Sequence, residues 1–292
     1  MSTNSPDFAY NRYTTALKTS LFFLIHAGCL LAFYTGWSWS AVTVCFALYF
    51  IRMFGITGAY HRYFSHRTYK TSRWFQFCLG FLGATSVQKG PLWWAAHHRH
   101  HHKYSDTEQD IHSAFLKGLW WSHVGWILSP DYLETKYENV KDFMGFPEIK
   151  WLEKNHAIPG IVLIVLVLIL GWGLQRLGFH TNPFQMFIWG FCISTTLLYH
   201  GTFCINSLAH MVGNRRFETD DHSKNSFILS IITLGEGWHN NHHRYPGSEA
   251  QGMYWWEMDI THYILKAMSW VGLVWDIRTH PDRLYDEAEG RK

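Results

Sequence analysis

Five histidines fall within six residues of the stretch WWAAHHRHHHKYSD, at His97, His98, His100, His101 and His102. Neutral imidazole is the commonest side-chain ligand for transition metals, so this density raises metal chemistry first. A histidine run can also be a tag or an opportunistic scavenger. What separates these readings is whether distant histidines repeat the spacing, and they do. HRHHH contains His98, His101 and His102 as HxxHH, and HNNHH repeats the pattern with His239, His242 and His243. Positions i, i+3 and i+4 share a helical face, so each HxxHH predicts three imidazoles aimed at one point. HRYFSH adds His61 and His66. They are five residues apart, which a regular helix turns away from each other, so the pair predicts a helix end. NSLAH sets Asn206 and His210 four apart on one helical face. Any one of these elements alone would most simply be structural. Together they argue for a shared site.

Nine imidazoles, from His61, His66, His98, His101, His102, His210, His239, His242 and His243, exceed what one first-row metal takes and fit two. The five cysteines stand apart with no CxxC pair, which argues against a thiolate zinc site, an iron–sulfur cluster or a disulfide frame. Imidazole suits zinc, copper, iron and nickel alike, so ligand type leaves the metal open. Asp106, Glu108, Asp110 and Glu236 lie near the boxes and could orient imidazoles through the second ring nitrogen. His97 and His100 point off the HxxHH face and read as supporting or surface residues.

The elements that carry such a site are apolar. Charged residues make up 16% of the 292, below the roughly 25% of soluble domains, while aromatic residues reach 18% with 16 Trp. Few charges and many amphipathic rings suit a membrane–water interface. Four stretches, at about 21–36, 41–58, 157–172 and 184–205, are apolar enough to be read as spans, a crossing taking about 20 residues. The segment from His61 to His156 holds 12 Lys or Arg, while the connections within each pair of spans hold almost none. By the positive-inside tendency both termini and the central segment are cytoplasmic. The expected fold is an all-α integral membrane protein. Four transmembrane helices form two hairpins beneath a cytoplasmic helical cap, drawn from 61–156 and 206–292, in a single domain over 1–292. Trp74–Val87 and Phe227–Leu234 are too short to span and read as interfacial or buried cap segments. A net charge of +3 with no basic stripe excludes nucleic acid as a partner.

The three boxes in this order, the NxxxH element and the four-span layout resemble the membrane fatty acyl desaturases of the stearoyl-CoA desaturase type. The likeness runs from GITGAYHRYFSHRTYK through SHVGW and NSLAH to GEGWHNNHHRYP, most of the chain. The resemblance implies two irons that, with O2 as co-substrate, remove two hydrogens from adjacent methylenes of a saturated long-chain acyl group. A cis double bond remains, with position 9 of an acyl-CoA as the leading expectation. It implies that the nine histidines are the iron ligands and that Asn206 holds an iron-bound water. The chemistry agrees, because an unactivated methylene has no acidic proton and yields only to a redox metal, which zinc is not. The resemblance also assigns Gln88, Trp94 and Thr202 to a bent acyl tunnel. Tyr49 and Met53 lie one turn apart on the second span. Tyr49 precedes His61 by 12 residues, so about 18 Å at about 1.5 Å per residue, and predicts the tunnel floor. No HPGG haem signature is present, so electrons are expected from a separate donor such as cytochrome b5 or ferredoxin. The acyl carrier stays open between CoA and phospholipid. A hydroxylase or decarboxylase on the same frame, and a membrane metal carrier, are the rival activities.

Overall fold

The computed structural model describes residues 12–290, and these are mostly helical. Helix α1, Arg12–Cys29, is followed by a turn at Leu30–Leu31 and a short helix at Ala32–Thr35. Gly36 then reverses the chain with φ 63°. Ser38 caps α2, Trp39–Phe54, its hydroxyl accepting from Ala41 N at 3.2 Å. Without a break α2 widens into a π-helix over Gly55–Ser65. Helix α3, Arg73–Ala84, and α4, Pro91–Tyr104, pack against that π segment. Helix α5, Ile158–Arg176, starts with Pro159 in its first turn, where a missing N–H costs nothing. Helix α6, Ser194–Asn206, continues a helical run that begins at Pro183, capped by Asn182 Oδ1 accepting from Gln185 N at 2.9 Å. Short helices α7, Phe227–Ile232, and α8, His239–Arg244, precede α9, Ile260–Trp270.

Among the described residues, three helical runs are long and apolar enough to cross a membrane: Trp39–Ser65, Ile158–Arg176 and Pro183–His210. The first expected span forms an apolar helix over Thr19–Thr35, shorter than those three. Trp74–Val87 and Phe227–Leu234 fall largely on α3 and α7, both shorter than the three long runs.

Two large apolar cores result, with two smaller clusters around Trp93, Ile111 and Trp126 and around Phe217, Met253 and Leu284. Between the long helices, Ile25, Leu163, Val167, Met186, Phe191, Tyr199 and Phe203 pack together. Around the π segment, Tyr60, Phe64, Tyr69, Leu92, Phe143, Ile149 and Leu152 form the other large core. Arg52 is buried and meets no carboxylate among the described residues. Its guanidinium donates to Thr195 Oγ1 at 2.8 Å, Ser194 Oγ at 2.5 Å and the Thr85 carbonyl at 3.4 Å. Thr85 ends α3, so the cation sits where the helix dipole is negative. A two-stranded antiparallel ribbon, β1 Lys70–Thr71 with β2 Val274–Trp275, ties the end of the chain to the π segment.

Candidate metal centre

The π-helix positions the first histidine pair. Its N–H groups bond five residues back, which brings residues five apart onto one face. His66 N donates to the His61 carbonyl at 3.2 Å, and the two ring centroids lie 4.8 Å apart. The helix end expected from the sequence is thus a widened turn that His66 closes.

Helices α4 and α8 each divide their HxxHH between two centres. His98 and His102 join His61 and His66, and His242 crosses from α8 to make five. His239 and His243 join His210, and His101 crosses from α4 to make four. Within each group the ligating nitrogens all lie within 4.8 Å of one another. The expectation that each box aims at one point is therefore corrected. Residues i and i+4 face one centre, and i+3, offset about 60–100° around the helix, reaches the second. His210 likewise sits on a 3₁₀ turn, Leu208–His210, because α6 ends at Asn206, so the two do not share a continuous α-helical face.

The donor set fits metal. In the five-histidine group, Nε2 atoms approach at 2.8 Å for His66 and His98, 3.1 Å for His61 and His242, and 3.0 Å for His102 and His242. In the other, His210 Nε2 and His239 Nε2 are 3.1 Å apart. Ligands at right angles on metal–nitrogen bonds of about 2.0–2.1 Å stand about 3 Å apart. The His243 side chain is buried, yet its Nε2 has no hydrogen-bond partner.

Carboxylates hold the outer nitrogens. His61 Nδ1 lies 2.5 Å from Glu236 Oε2, His101 Nδ1 3.0 Å from Asp110 Oδ1, and His210 Nδ1 2.9 Å from Asp106 Oδ2. His243 Nδ1 lies 2.6 Å from Asp221 Oδ2. Each Nδ1–H donates to an acceptor-only carboxylate, which leaves the Nε2 lone pair for the centre. Glu108, also considered from the sequence, is exposed. Asp221 was not singled out, since it stands 22 residues before His243 with no spacing rule to join them. Burial alone would raise the carboxyls of Asp106, Asp110 and Asp221. Their histidine partners outweigh it and hold all three well below the usual range. Burial, then the proximity of like rings, pushes His66, His98, His102, His239 and His242 far below an ordinary imidazole, so they stay neutral.

His97 belongs to neither group and is not at the surface. It is buried against Trp93, with ring centroids 4.4 Å apart, and its Nδ1 donates to the Trp93 carbonyl at 2.8 Å. Burial pushes it down to about 3. His100 is half-exposed and bonds the Gln109 carbonyl at 3.0 Å.

A cavity of about 300 Å³ runs past His98 and Asn206, walled by Gln88, Trp94 and Thr202. Gln88 Nε2 donates to Thr202 Oγ1 at 3.1 Å. The loop that carries Gln88 holds Val87 and Lys89 at φ 59° and 65°, and Tyr199 Oη and Tyr60 Oη pin their carbonyls at 3.0 Å each. Tyr49 and Met53 are not among the residues lining this cavity. They are buried against Gly201, beside Thr202, and Tyr49 Oη donates to the Ile232 carbonyl at 2.7 Å.

Comparison with known proteins agrees with this geometry. Residues 37–275 match the family model described as fatty acid desaturase. An acyl-CoA C20 Delta5-desaturase of Anemone leveillei is 37% identical over 87% of this chain and 78% of its own. Delta-9 acyl-lipid desaturase 2 of Arabidopsis thaliana is 37% identical over 90% of this chain and 82% of its own. An sn-1 stearoyl-lipid 9-desaturase of Anabaena variabilis is 35% identical over 89% and 92%. With the family model covering most of the chain and these relatives aligned nearly end to end, the chain belongs to the fatty acid desaturase family and is a fatty acyl desaturase, an oxidoreductase of lipid metabolism.

Proposed function

We propose that the enzyme places a cis double bond at position 9 of a saturated long-chain acyl group, using two irons bound by the nine histidines. The observation that carries this reading is the pair of buried imidazole groups, five and four strong, braced by carboxylates. Position 9 is favoured by the names of the stearoyl-lipid and Delta-9 acyl-lipid relatives. When bound, the irons supply the oxidant that takes two hydrogens from adjacent methylenes while O2 is reduced to water. The chain's own residues do the rest. Glu236, Asp106, Asp110 and Asp221 fix the tautomer and aim of the ligand rings, and Asn206 holds a water at the centre. Trp94 and the Gln88–Thr202 pair shape an apolar channel that keeps bulk water from the reacting carbons. Tyr49 and Met53, packed against Gly201 behind the Thr202 wall and not lining the cavity itself, would limit the chain length indirectly by holding that wall in place. Electrons arrive from a separate donor, cytochrome b5 or ferredoxin, docking on the cap.

The same reading makes this a multi-pass membrane protein with one domain over 1–292. Thr19–Thr35 is the first of four spans in two hairpins, and both termini and the metal centre are cytoplasmic. The distribution of Lys and Arg supports that orientation. Expression in a host lacking unsaturated fatty acids, with metal analysis of the purified protein, tests the whole. Two irons per chain and a new cis-9 alkene are expected. One metal per chain, stoichiometric zinc in active protein, or a hydroxylated product would each overturn it.

A further inference from the structure

We propose that the cavity opens sideways into the bilayer between α1 and α5, and that the acyl chain enters while esterified to a membrane glycerolipid. This deepens the desaturase reading and rests on it. The inner end of the cavity is marked by His98 and Asn206. The outer end is marked by the lining residues that reach the surface, Leu21 on α1 and Ala157 at the start of α5. Phe22, Ile127 and Leu128, all half-buried, lie along the rim, with Thr19 near Leu21 and His156 beside Ala157 as its polar members. Its other side chains are apolar.

The ground on either side of the rim is apolar as well. Next to Leu21, itself 46% exposed, Phe23 and Leu24 are 54% and 66% exposed, and beside Ala157 the exposed face of α5 continues through Ile158 and Ile161. Set against water, such a collar would cost about 25 cal/mol for each Å² left uncovered, whereas hydrocarbon covers it at no cost. The two helices flanking the opening are an apolar run and a candidate span, so the collar lies where acyl chains are.

Charge discriminates between carriers. A CoA thioester brings several phosphates, which proteins grip with arginine and lysine. Lys89 is the single Lys or Arg among the described lining residues. Its Nζ is already committed, 3.9 Å over the Trp93 ring and donating to the Tyr132 carbonyl at 3.3 Å. A glycerolipid ester makes no demand for cations at the door, since its headgroup stays in the interfacial water.

The test uses the full-length, iron-loaded protein in lipid nanodiscs, supplied with O2 and, in separate runs, with cytochrome b5 or ferredoxin kept reduced as the electron donor. One arm carries phosphatidylcholine with a diazirine-tipped stearoyl chain, and the other carries inert discs with the same chain on CoA. Ultraviolet crosslinks are mapped by mass spectrometry, and products are analysed in parallel. The lipid arm is expected to label the segments 88–94 and 202–206 at least five-fold more than the CoA arm. Ala157→Trp should cut that labelling at least five-fold while labels on the outer face of α5 persist, which reports that the variant is folded and embedded. Leu21→Lys should shift labelling from the lipid arm toward the CoA arm. Cavity labels from CoA with only outer-face labels from lipid would overturn the proposal, as would an Ala157→Trp variant that labels like the parent. An alkene from either arm sustains the desaturase reading whichever carrier wins. No alkene from either arm would overturn that reading and leave the labelling to judge the route separately.

Discussion

At the scale of single residues, chemistry is divided between nitrogens. His61, His101, His210 and His243 each turn one nitrogen toward their histidine group and give the other to a carboxylate, and the hold on the second decides how well the first is aimed. The pair His243–Asp221 shows this most clearly, because the His243 side chain is buried with Nδ1 2.6 Å from the carboxylate. Asp221→Asn keeps the shape but can present an amide N–H to that nitrogen and removes the negative charge. Metal affinity should fall about 10–100-fold, the usual cost of losing such a partner. Competition with a chelator measures it, and unchanged elution on gel filtration separates it from unfolding. An affinity equal to the parent's would return Asp221 to the surrounding surface charges. The nine histidines were legible from spacing alone, since HxxHH survives any fold that keeps those residues helical. Three of their four carboxylate partners were legible from nearness in the sequence. Asp221 was not, because the contact to His243 is made by a turn whose path no local pattern encodes.

At the scale of elements, the widened turn and the buried arginine beside it were hidden for different reasons. A π-helix carries no compositional mark that distinguishes Gly55–Ser65 from an α-helix with a frayed end. Its cause is tertiary. Within it, Arg62 is buried and meets three carboxylates, Asp259 at 2.9 Å and Glu236 and Glu249 at 3.0 Å each. Those acids come from the last third of the chain, so the arginine ties the first histidine segment to the last. Glu236 also holds His61, which places the network one bond from the centre. Arg62→Met would strand three buried charges. It should cost about 3–5 kcal/mol, or roughly 6–20 °C of thermal midpoint. Arg62→Lys should recover only part, as one ammonium cannot face three partners at that spacing. Thermal unfolding in detergent followed by intrinsic fluorescence measures both. A midpoint within a degree of the parent for Arg62→Met would show that the acids find water instead. The loop at Val87 and Lys89 is a smaller case. Left-handed backbone at a β-branched residue is costly, and here it sets Gln88 into the cavity wall.

At the scale of the whole molecule, the spans announce themselves by composition, most plainly in IVLIVLVLIL, whereas the cap does not. Its core is built from short helices and turns with no period long enough to read. What the cap does present is a concentration of neutral, buried imidazole, and this fixes how stability depends on pH. The folded-state pKa of His66, His98, His102, His239 and His242 lies well below the unfolded value of about 6.5. The unfolded chain therefore binds protons first as pH falls, and stability is retained above about 6.5 and lost below it. Each such group forfeits up to about 1.4 kcal/mol per pH unit. Metal-free protein should thus melt markedly lower at pH 5.5 than at pH 7.5. Iron-loaded protein should release metal over the same interval. Scanning fluorimetry across that range checks the first, and a colorimetric iron assay of the flow-through checks the second. A flat profile would mean that the rings already titrate freely in the folded state.

The exchange of His101 and His242 between the two histidine groups also has a meaning in time. Each proposed centre draws on residues from the segment 239–243, His242 for one and His239 with His243 for the other. A chain growing on the ribosome therefore completes neither centre until that segment has emerged and turned back onto the earlier ones. Neither histidine group is complete long before the other, since both close within the same five residues. Maturation is in this sense a single event, and a nascent chain stalled before residue 239 would carry six of the nine histidines and no finished site.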